Sequence, residues 1–449
     1  MASIKLSDKF GYKKQLLFTL PTIGMMIWTS LYTVVDGFFV SNFAGVSAFA
    51  GMNLIWPFVA ILATIGLMFG TGGSAIVAKT FGEGDGDKAN SYFSLFVYAS
   101  IVGGIIFAIL GYIFVPHIAT LLGAEGELLA NAITYGRILA LVLPFTILSY
   151  FFQAFFVTAE KPQLGLIVML LSGCTNIILD ALLVMSLPHE YKLAGAAVAT
   201  AIAEMLGGLI PLIYFSRKND SILKLGHTKL EWRVLGKGCV NGSSEFMANI
   251  AMSVVGMLYN YQLMLYAGEN GVAAYGVIMY VAYVFAAIFM GYAMGIAPVI
   301  SYNFGAKRHL ELTGLFKRSL KIVGIFGIVM LFLAQTLAYP FSCIFVSYDS
   351  TLLEMTISGY RIYSIAFIFF GFSIFSSAFF TALNDGVTSA IISFFRTLVF
   401  ETVCVLVLPQ IFGLNGIWSS IIVAEIFAVI LSIAFLIAKK NKFHYWEAS

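Results

Sequence analysis

A chain of 449 residues that is 60% hydrophobic and 10% charged, with a mean hydropathy of +0.94, is a polytopic membrane protein and not an ordinary soluble domain. Its formal net charge of +3 selects no partner by itself. Four scattered cysteines (Cys174, Cys239, Cys343 and Cys404) without CxxC spacing imply neither a zinc site nor a disulfide framework, and five histidines that read as loop or tail residues argue against an intramembrane metal centre.

The run Leu16 to Val40 is too long for the apolar part of a cleaved signal peptide and lacks a small-residue cleavage site, so it is the first span and no targeting segment is removed. A window of about 20 residues then predicts spans near 14–40, 47–78, 91–115, 130–158, 163–187 and 194–216. The second six fall near 238–267, 271–301, 313–339, 356–382, 387–412 and 415–438. Lys5, Lys9, Lys13, Lys14, the Arg217 to Lys237 loop, the Lys307 to Lys321 segment and Lys439 to Lys442 gather on one side of this arrangement. The other side holds Glu125, Glu127, Glu190, Glu269, Asp349 and Glu354, with Lys192 as its lysine. That asymmetry places both termini in the cytoplasm. The predicted organisation is a six-helix bundle over residues 1–216, a cytoplasmic linker over 217–237, and a second bundle with a short tail over 238–449.

The halves resemble each other at an offset of about 221 to 224 residues. Phe81-Gly82 falls on Phe304-Gly305, Arg137 on Arg361, and Ala154-Phe155-Phe156 on Ala378-Phe379-Phe380. Asp180 falls on Glu401 and Ala203-Glu204 on Ala424-Glu425, whereas Asp36 meets Tyr259 or Asn260. An even number of spans per repeat inserts both units the same way. The fold class is therefore all-α: twelve transmembrane helices in two six-helix bundles, related by a pseudo-two-fold axis along the membrane normal, with a cleft between them.

Asp36, Asp180, Glu204, Glu245, Glu401 and Glu425 all lie inside spans, where an unpaired charge costs at least several kcal/mol and an ionisable residue is functional by default. Asp36 comes late in span one, Asp180 late in span five and Thr200 early in span six, so all three lie at one depth in the outer half. Asn176 and Asp180, and likewise Thr200 and Glu204, are spaced by four and share a helix face. Two carboxylates with amide and hydroxyl oxygens make a site for Na⁺, or for a proton. The plainer alternative is that each acid is a hydrogen-bonded strut between helices. Glu204 and Glu425, related by the repeat, suit a symmetric structural role. Glu401 shares a face with Ser393 and Thr397, and Arg396 points elsewhere.

Glu245, Asn249, Gly256 and Asn260 form a polar stripe on span seven that faces protein or water. Trp28, Tyr32 and Asp36 are spaced by four, as are Tyr275, Met279 and Tyr283; aromatic faces and adaptable methionines suit varied lipophilic cations. With 42 Phe and 22 Tyr, most such stripes are packing. The expected substrate cavity comprises Trp28, Tyr32, Gln153, Glu245, Asn249, Asn260, Tyr275 and Met279. Gly70 to Ser74 lacks P-loop spacing, so it is a helix-packing segment, as are the pairs Gly66/Gly70 and Gly291/Gly295. Pro21 is a candidate kink that would move Asp36.

Span one, from Leu20-Pro21-Thr22 through Leu31-Tyr32 to Val35-Asp36-Gly37-Phe38-Phe39-Val40, resembles the first helix of the multidrug and toxic compound extrusion (MATE) family. Asn176-Ile-Ile-Leu-Asp180, Gly195-Ala-Ala-Val-Ala-Thr200 and Gly242-Ser-Ser-Glu245 add to the likeness, which covers the whole chain. The resemblance implies an efflux antiporter driven by H⁺ or Na⁺ that exports amphipathic, often cationic, organic compounds by alternating access. It implies a cation site at Asp36, Asn176, Asp180 and Thr200, which are metal ligands only if Na⁺ couples, and a role for Glu245 in the other bundle. No cofactor is expected beyond the coupling ion. The expected partners are a small-molecule substrate and membrane lipids, with no nucleic acid, for a monomer in the cytoplasmic membrane. The chief rival is a flippase for lipids or lipid-linked oligosaccharides, which would need a more cationic cleft than Arg137, Arg361 and Arg396 supply. A membrane enzyme is disfavoured by the lack of intramembrane histidine and of a Ser/His constellation.

Overall fold

The computed structural model describes residues 4–347 and 349–446. Hydrocarbon offers the backbone no hydrogen-bond partner, so the apolar runs are helical throughout. The first six spans are α1 (Tyr12–Phe39), α2 (Val46–Gly82), α3 (Gly86–Leu121), α4 (Gly126–Thr158), α5 (Pro162–Ser186) and α6 (Lys192–Ser216). A π-helical turn, Val40–Ala44, extends α1 beyond Asp36. Local signals fix several starts: Asp85 accepts the Lys88 N–H ahead of α3, and Pro162 occupies the first turn of α5.

The second half comprises α7 (Trp232–Gly305), α8 (His309–Val346), α9 (Ser350–Tyr363), α10 (Phe367–Ala382), α11 (Gly386–Phe394), α12 (Glu401–Phe412) and α13 (Leu414–Phe443). Spans seven and eight, expected as separate helices, are joined in α7. At about 1.5 Å per residue, 74 residues would reach over 100 Å if straight. The chain instead folds back at Gly268, whose φ of 63° and ψ of −152° no L side chain adopts without strain. Tyr259 and Tyr275, on opposite limbs, consequently stack with centroids 4.9 Å apart. Eleven long apolar helical stretches among the described residues thus give twelve crossings.

Three boundaries differ from expectation. Residues 232–237 are the first turns of α7, so the connecting loop is shorter than the expected linker, and it docks on α3 through Lys224 N–H to Asn90 and Gly226 N–H to Ser94. His117 lies inside α3 and His309 opens α8, because each helix runs beyond its apolar core. Pro21 lies inside an unbroken α1.

The two sets, α1–α6 and α7–α13, interlock through α7, which packs on α2 and α1 of the first set as extensively as on α8–α13, and they meet there through small residues. A Cβ at Gly242 of α7 would stand 2.0 Å from the Met68 carbonyl of α2, and one at Gly72 2.1 Å from that of Gly238. Asn241 seals the joint, donating to the carbonyls of Gly72 (3.3 Å) and Thr381 (2.9 Å). Gly291 and Gly295 likewise press against Ile23 and Thr19 of α1, and Gly66 against Ile147. Helix packing is therefore the role of these glycines.

The tight joints lie toward the face that carries both chain ends. There Leu6 N–H donates to Glu160, Phe10 N–H to Glu311, and Arg308 to the Ser7 carbonyl, while Tyr445 packs on Phe316 and Phe379. Toward the other face, Gly256, Gly268 and Gly276 meet nothing within 4 Å of a would-be Cβ. The close glycine contacts that join the halves thus gather at one face.

Candidate cation site in the N-terminal helices

Asp36 stands in the last turn of α1, just before the π turn, and Asp180 stands three-quarters along α5 with no exposed surface. Their carboxyls face each other within hydrogen-bonding reach. Two ionised acids have no proton to share, so this approach needs a proton or a cation between them. Asn176, one turn before Asp180, donates its amide to the Thr200 hydroxyl of α6 at 3.4 Å. The Tyr135 hydroxyl of α4 lies near Thr200, within the field of both acids. Four helices thus converge on one polar point.

The donor set fits a hard monovalent cation. Asp36 Oδ1, Asn176 Oδ1 and both Asp180 oxygens are buried with no donor within the protein. Orphaned acceptors of this kind are costly unless something neutralises them. One turn further along α6, Glu204 accepts from Ser149, its Oε2 is unpartnered, and its field reaches Tyr32 and Tyr150. All four residues expected for the cation site are therefore neighbours.

The eight residues expected to line a cavity are more dispersed. Trp28 and Tyr32 lie over Gly173 of α5, where a Cβ would come within 2.3 Å and 2.8 Å of their rings. Gln153 is buried in α4, Glu245 and Asn249 are half-buried on the first limb of α7, and Asn260 is exposed. Tyr275 joins Tyr259, and Met279 is half-buried on the second limb.

In the second half, Ser393 and Thr397 are buried and Glu401 is half-buried. A π-helical turn over Phe395–Phe400 lies between Ser393 and Glu401. Ser393 pairs with Ser377 at 2.9 Å and Thr397 donates to the Ser393 carbonyl. Arg396 is turned to α13, where its Nε meets Glu425 Oε1 at 2.6 Å. Glu425 and Glu204 are thus not equivalent struts: one is salt-bridged and the other bonds a serine. Tyr135 and the Arg396–Glu425 pair were absent from the sequence-based expectation. Tyr135 carries no signal among 22 tyrosines, whereas an in-span arginine followed by an in-span acid was a usable clue.

A multi-pass helical bundle built on an internal repeat, with acids face to face inside the membrane, has the architecture of a transporter and not of an enzyme. The MatE family model matches residues 21–182 and 246–407, one stretch in each half, and the chain belongs to that family. It is 28% identical over 444 residues to the multidrug export protein MepA of Staphylococcus haemolyticus, covering 98% of this chain and 96% of that one. The MepA of Staphylococcus aureus strain MRSA252 is 26% identical over 417 residues, 92% of this chain and 91% of the relative. Among solved structures, an outward-facing multidrug resistance MATE family transporter of the MOP superfamily superposes with a TM-score of 0.92 at 21% identity, covering 99% of both chains. A MATE transporter in complex with MaL6 gives 0.92 at 20% identity, again over 99% of both chains. These likenesses establish the MATE fold.

Proposed function

We propose that this chain is a cation-coupled exporter of amphipathic, often cationic, organic compounds in the cytoplasmic membrane, with both termini inside. The observation that carries the proposal is the Asp36–Asp180 pair, held face to face among orphaned oxygens of Asn176 and Asp180. Relatives named as multidrug export proteins support the cargo. The excess of lysine and arginine on the face bearing the chain ends supports the orientation.

In that orientation the closed joint of Gly72, Gly242 and Asn241 is cytoplasmic, as an outward-facing state requires. External H⁺ or Na⁺ enters between Asp36 and Asp180 and draws α1 toward α5. Because Trp28 and Tyr32 of α1 rest on Gly173 of α5, this movement changes the apolar wall below the acids and releases bound compound. The bundles then rock about the glycine joints, each bundle and the 217–231 loop acting as units, and a monomer suffices. One charge moving down 100 mV supplies about 2.3 kcal/mol, enough for roughly fifty-fold accumulation. The rival flippase is not favoured: Arg396 is paired with Glu425, and Arg137 is stacked 4.8 Å from the Tyr112 ring.

Dye efflux from vesicles under an imposed Na⁺ or H⁺ gradient tests the proposal and separates the two ions. Asp36→Asn and Asp180→Asn are expected to slow gradient-driven ethidium export at least tenfold while the protein remains inserted. Gradient-driven efflux that survives both substitutions sinks the proposed site.

A further inference from the structure

The repeat register lays Asp180 on Glu401 and Asp36 on Tyr259 or Asn260, and the fold brings Tyr259, the buried one of the two, within reach of Glu401. Glu401 opens α12 directly after a π turn, and Asp36 lies one turn before another. Around it stand Tyr259, Tyr275 and Tyr283 from the two limbs of α7 and Tyr363 from α9, all within its electrostatic reach. From α13 comes Glu425, from the π turn Arg396, and from α12 itself Cys404. Tyr259 is 2% exposed and its hydroxyl has no hydrogen-bond partner; Glu425 is 1% exposed and its Oε2 has none either. Arg396 is committed to Glu425 Oε1. Glu401, half-buried, is therefore an uncompensated carboxylate of this bundle, as is Glu245 on the first limb of α7, and it differs from Glu245 in having the unpartnered Tyr259 within its electrostatic reach.

We propose that Glu401 is a second coupling site, in the C-terminal bundle, whose ligand is a proton. The donor set decides against a metal cation. Hard cations need several oxygen ligands, which the N-terminal site has in two acids, an amide and a hydroxyl. Here Tyr259 replaces the first acid and Ile421 falls where Thr200 would be, leaving one free carboxylate among aromatic rings. A proton needs only that carboxylate. With Arg396 and Glu425 cancelling, the triad carries one net negative charge when Glu401 is ionised and none when it is protonated. Protonation thus removes an uncompensated charge from beside Tyr259 and Tyr275, whose stacking joins the two limbs of α7 at Gly268. Proton binding in this bundle thereby acts on the helix pair whose first limb forms the joint with α2.

The proposal deepens the exporter assignment by adding a proton to it, and infrared difference spectroscopy separates the two. The protein in lipid vesicles is stepped from acid to alkaline pH, and loss of the carbonyl stretch of protonated carboxylic acids is recorded. Wild type is expected to lose a band that Glu401→Gln lacks and Asp36→Asn retains. An unchanged spectrum in folded Glu401→Gln overturns the second site while leaving the first intact. An unchanged spectrum in Asp36→Asn instead counts against proton coupling at the first site, whatever Glu401 does. Should Glu401→Gln fail to fold, Glu401→Asp carries the test: the band shifts in frequency if the carboxyl is the titrating group, and stays fixed if it is not.

Discussion

Asp36 and Asp180 are neighbours because two helices reach the same depth with an acid on the facing side, and Tyr135 completes the cluster beside Thr200. Tyr135→Phe removes a hydroxyl beside Thr200 and the two acids, so the apparent affinity for the coupling ion is expected to fall, read from the ion dependence of efflux. Arg396→Met strands Glu425 as a buried charge; a loss of about 3 kcal/mol is expected, seen as a lower melting temperature that Glu425→Gln partly restores. Outside the membrane, burial pushes the Glu160 carboxyl above its ordinary 4.5, against the Leu6 N–H that donates to it. The folded protein holds this proton more tightly than the unfolded chain does. Its contribution to stability is therefore full below pH 4.5 and is lost as pH rises through the folded value. Glu160→Gln is expected to flatten the pH dependence of melting in that range. The acids were legible because charge in an apolar run is rare and spacing by four gives a face. Their partners were not legible, since tyrosine is abundant and tertiary pairing leaves no local trace.

At the scale of elements, the apolar runs announced nearly every helix, but apolarity cannot place ends. The first turns of α7, polar Arg233 and Lys237 among them, are helical because the chain continues past the membrane, and His117 lies in α3 for the same reason. The π turns at Val40–Ala44 and Phe395–Phe400 were invisible, since one extra residue in a helical turn leaves no mark in composition or spacing. The second of them lies between Ser393 and Glu401. The Gly72–Gly242 joint, in contrast, was foreshadowed by closely spaced small residues. Gly242→Val places methyl groups where the Met68 carbonyl lies and prevents that closure. Spin labels across the cytoplasmic ends of α2 and α7 are expected to report a longer distance in this variant. An unchanged distance would mean that the joint does not hold the state seen here.

For the whole molecule, the repeat read from residues such as Phe81-Gly82 and Phe304-Gly305 also holds in three dimensions, since Gly82 and Gly305 each press on the other half. What differs between the bundles is the chemistry at equivalent places: two facing acids in one, an acid among tyrosines in the other. Export follows if ion and compound compete for the same outward-facing state, and linkage makes such competition reciprocal. Binding of tetraphenylphosphonium to the purified protein, titrated at several Na⁺ concentrations and pH values, measures that competition directly. The wild type is expected to bind the probe more weakly as the coupling cation rises, and Asp36→Asn or Asp180→Asn to bind it with an affinity that no longer responds. Cation sensitivity that persists undiminished in both variants would contradict the placement of the coupling ion between Asp36 and Asp180.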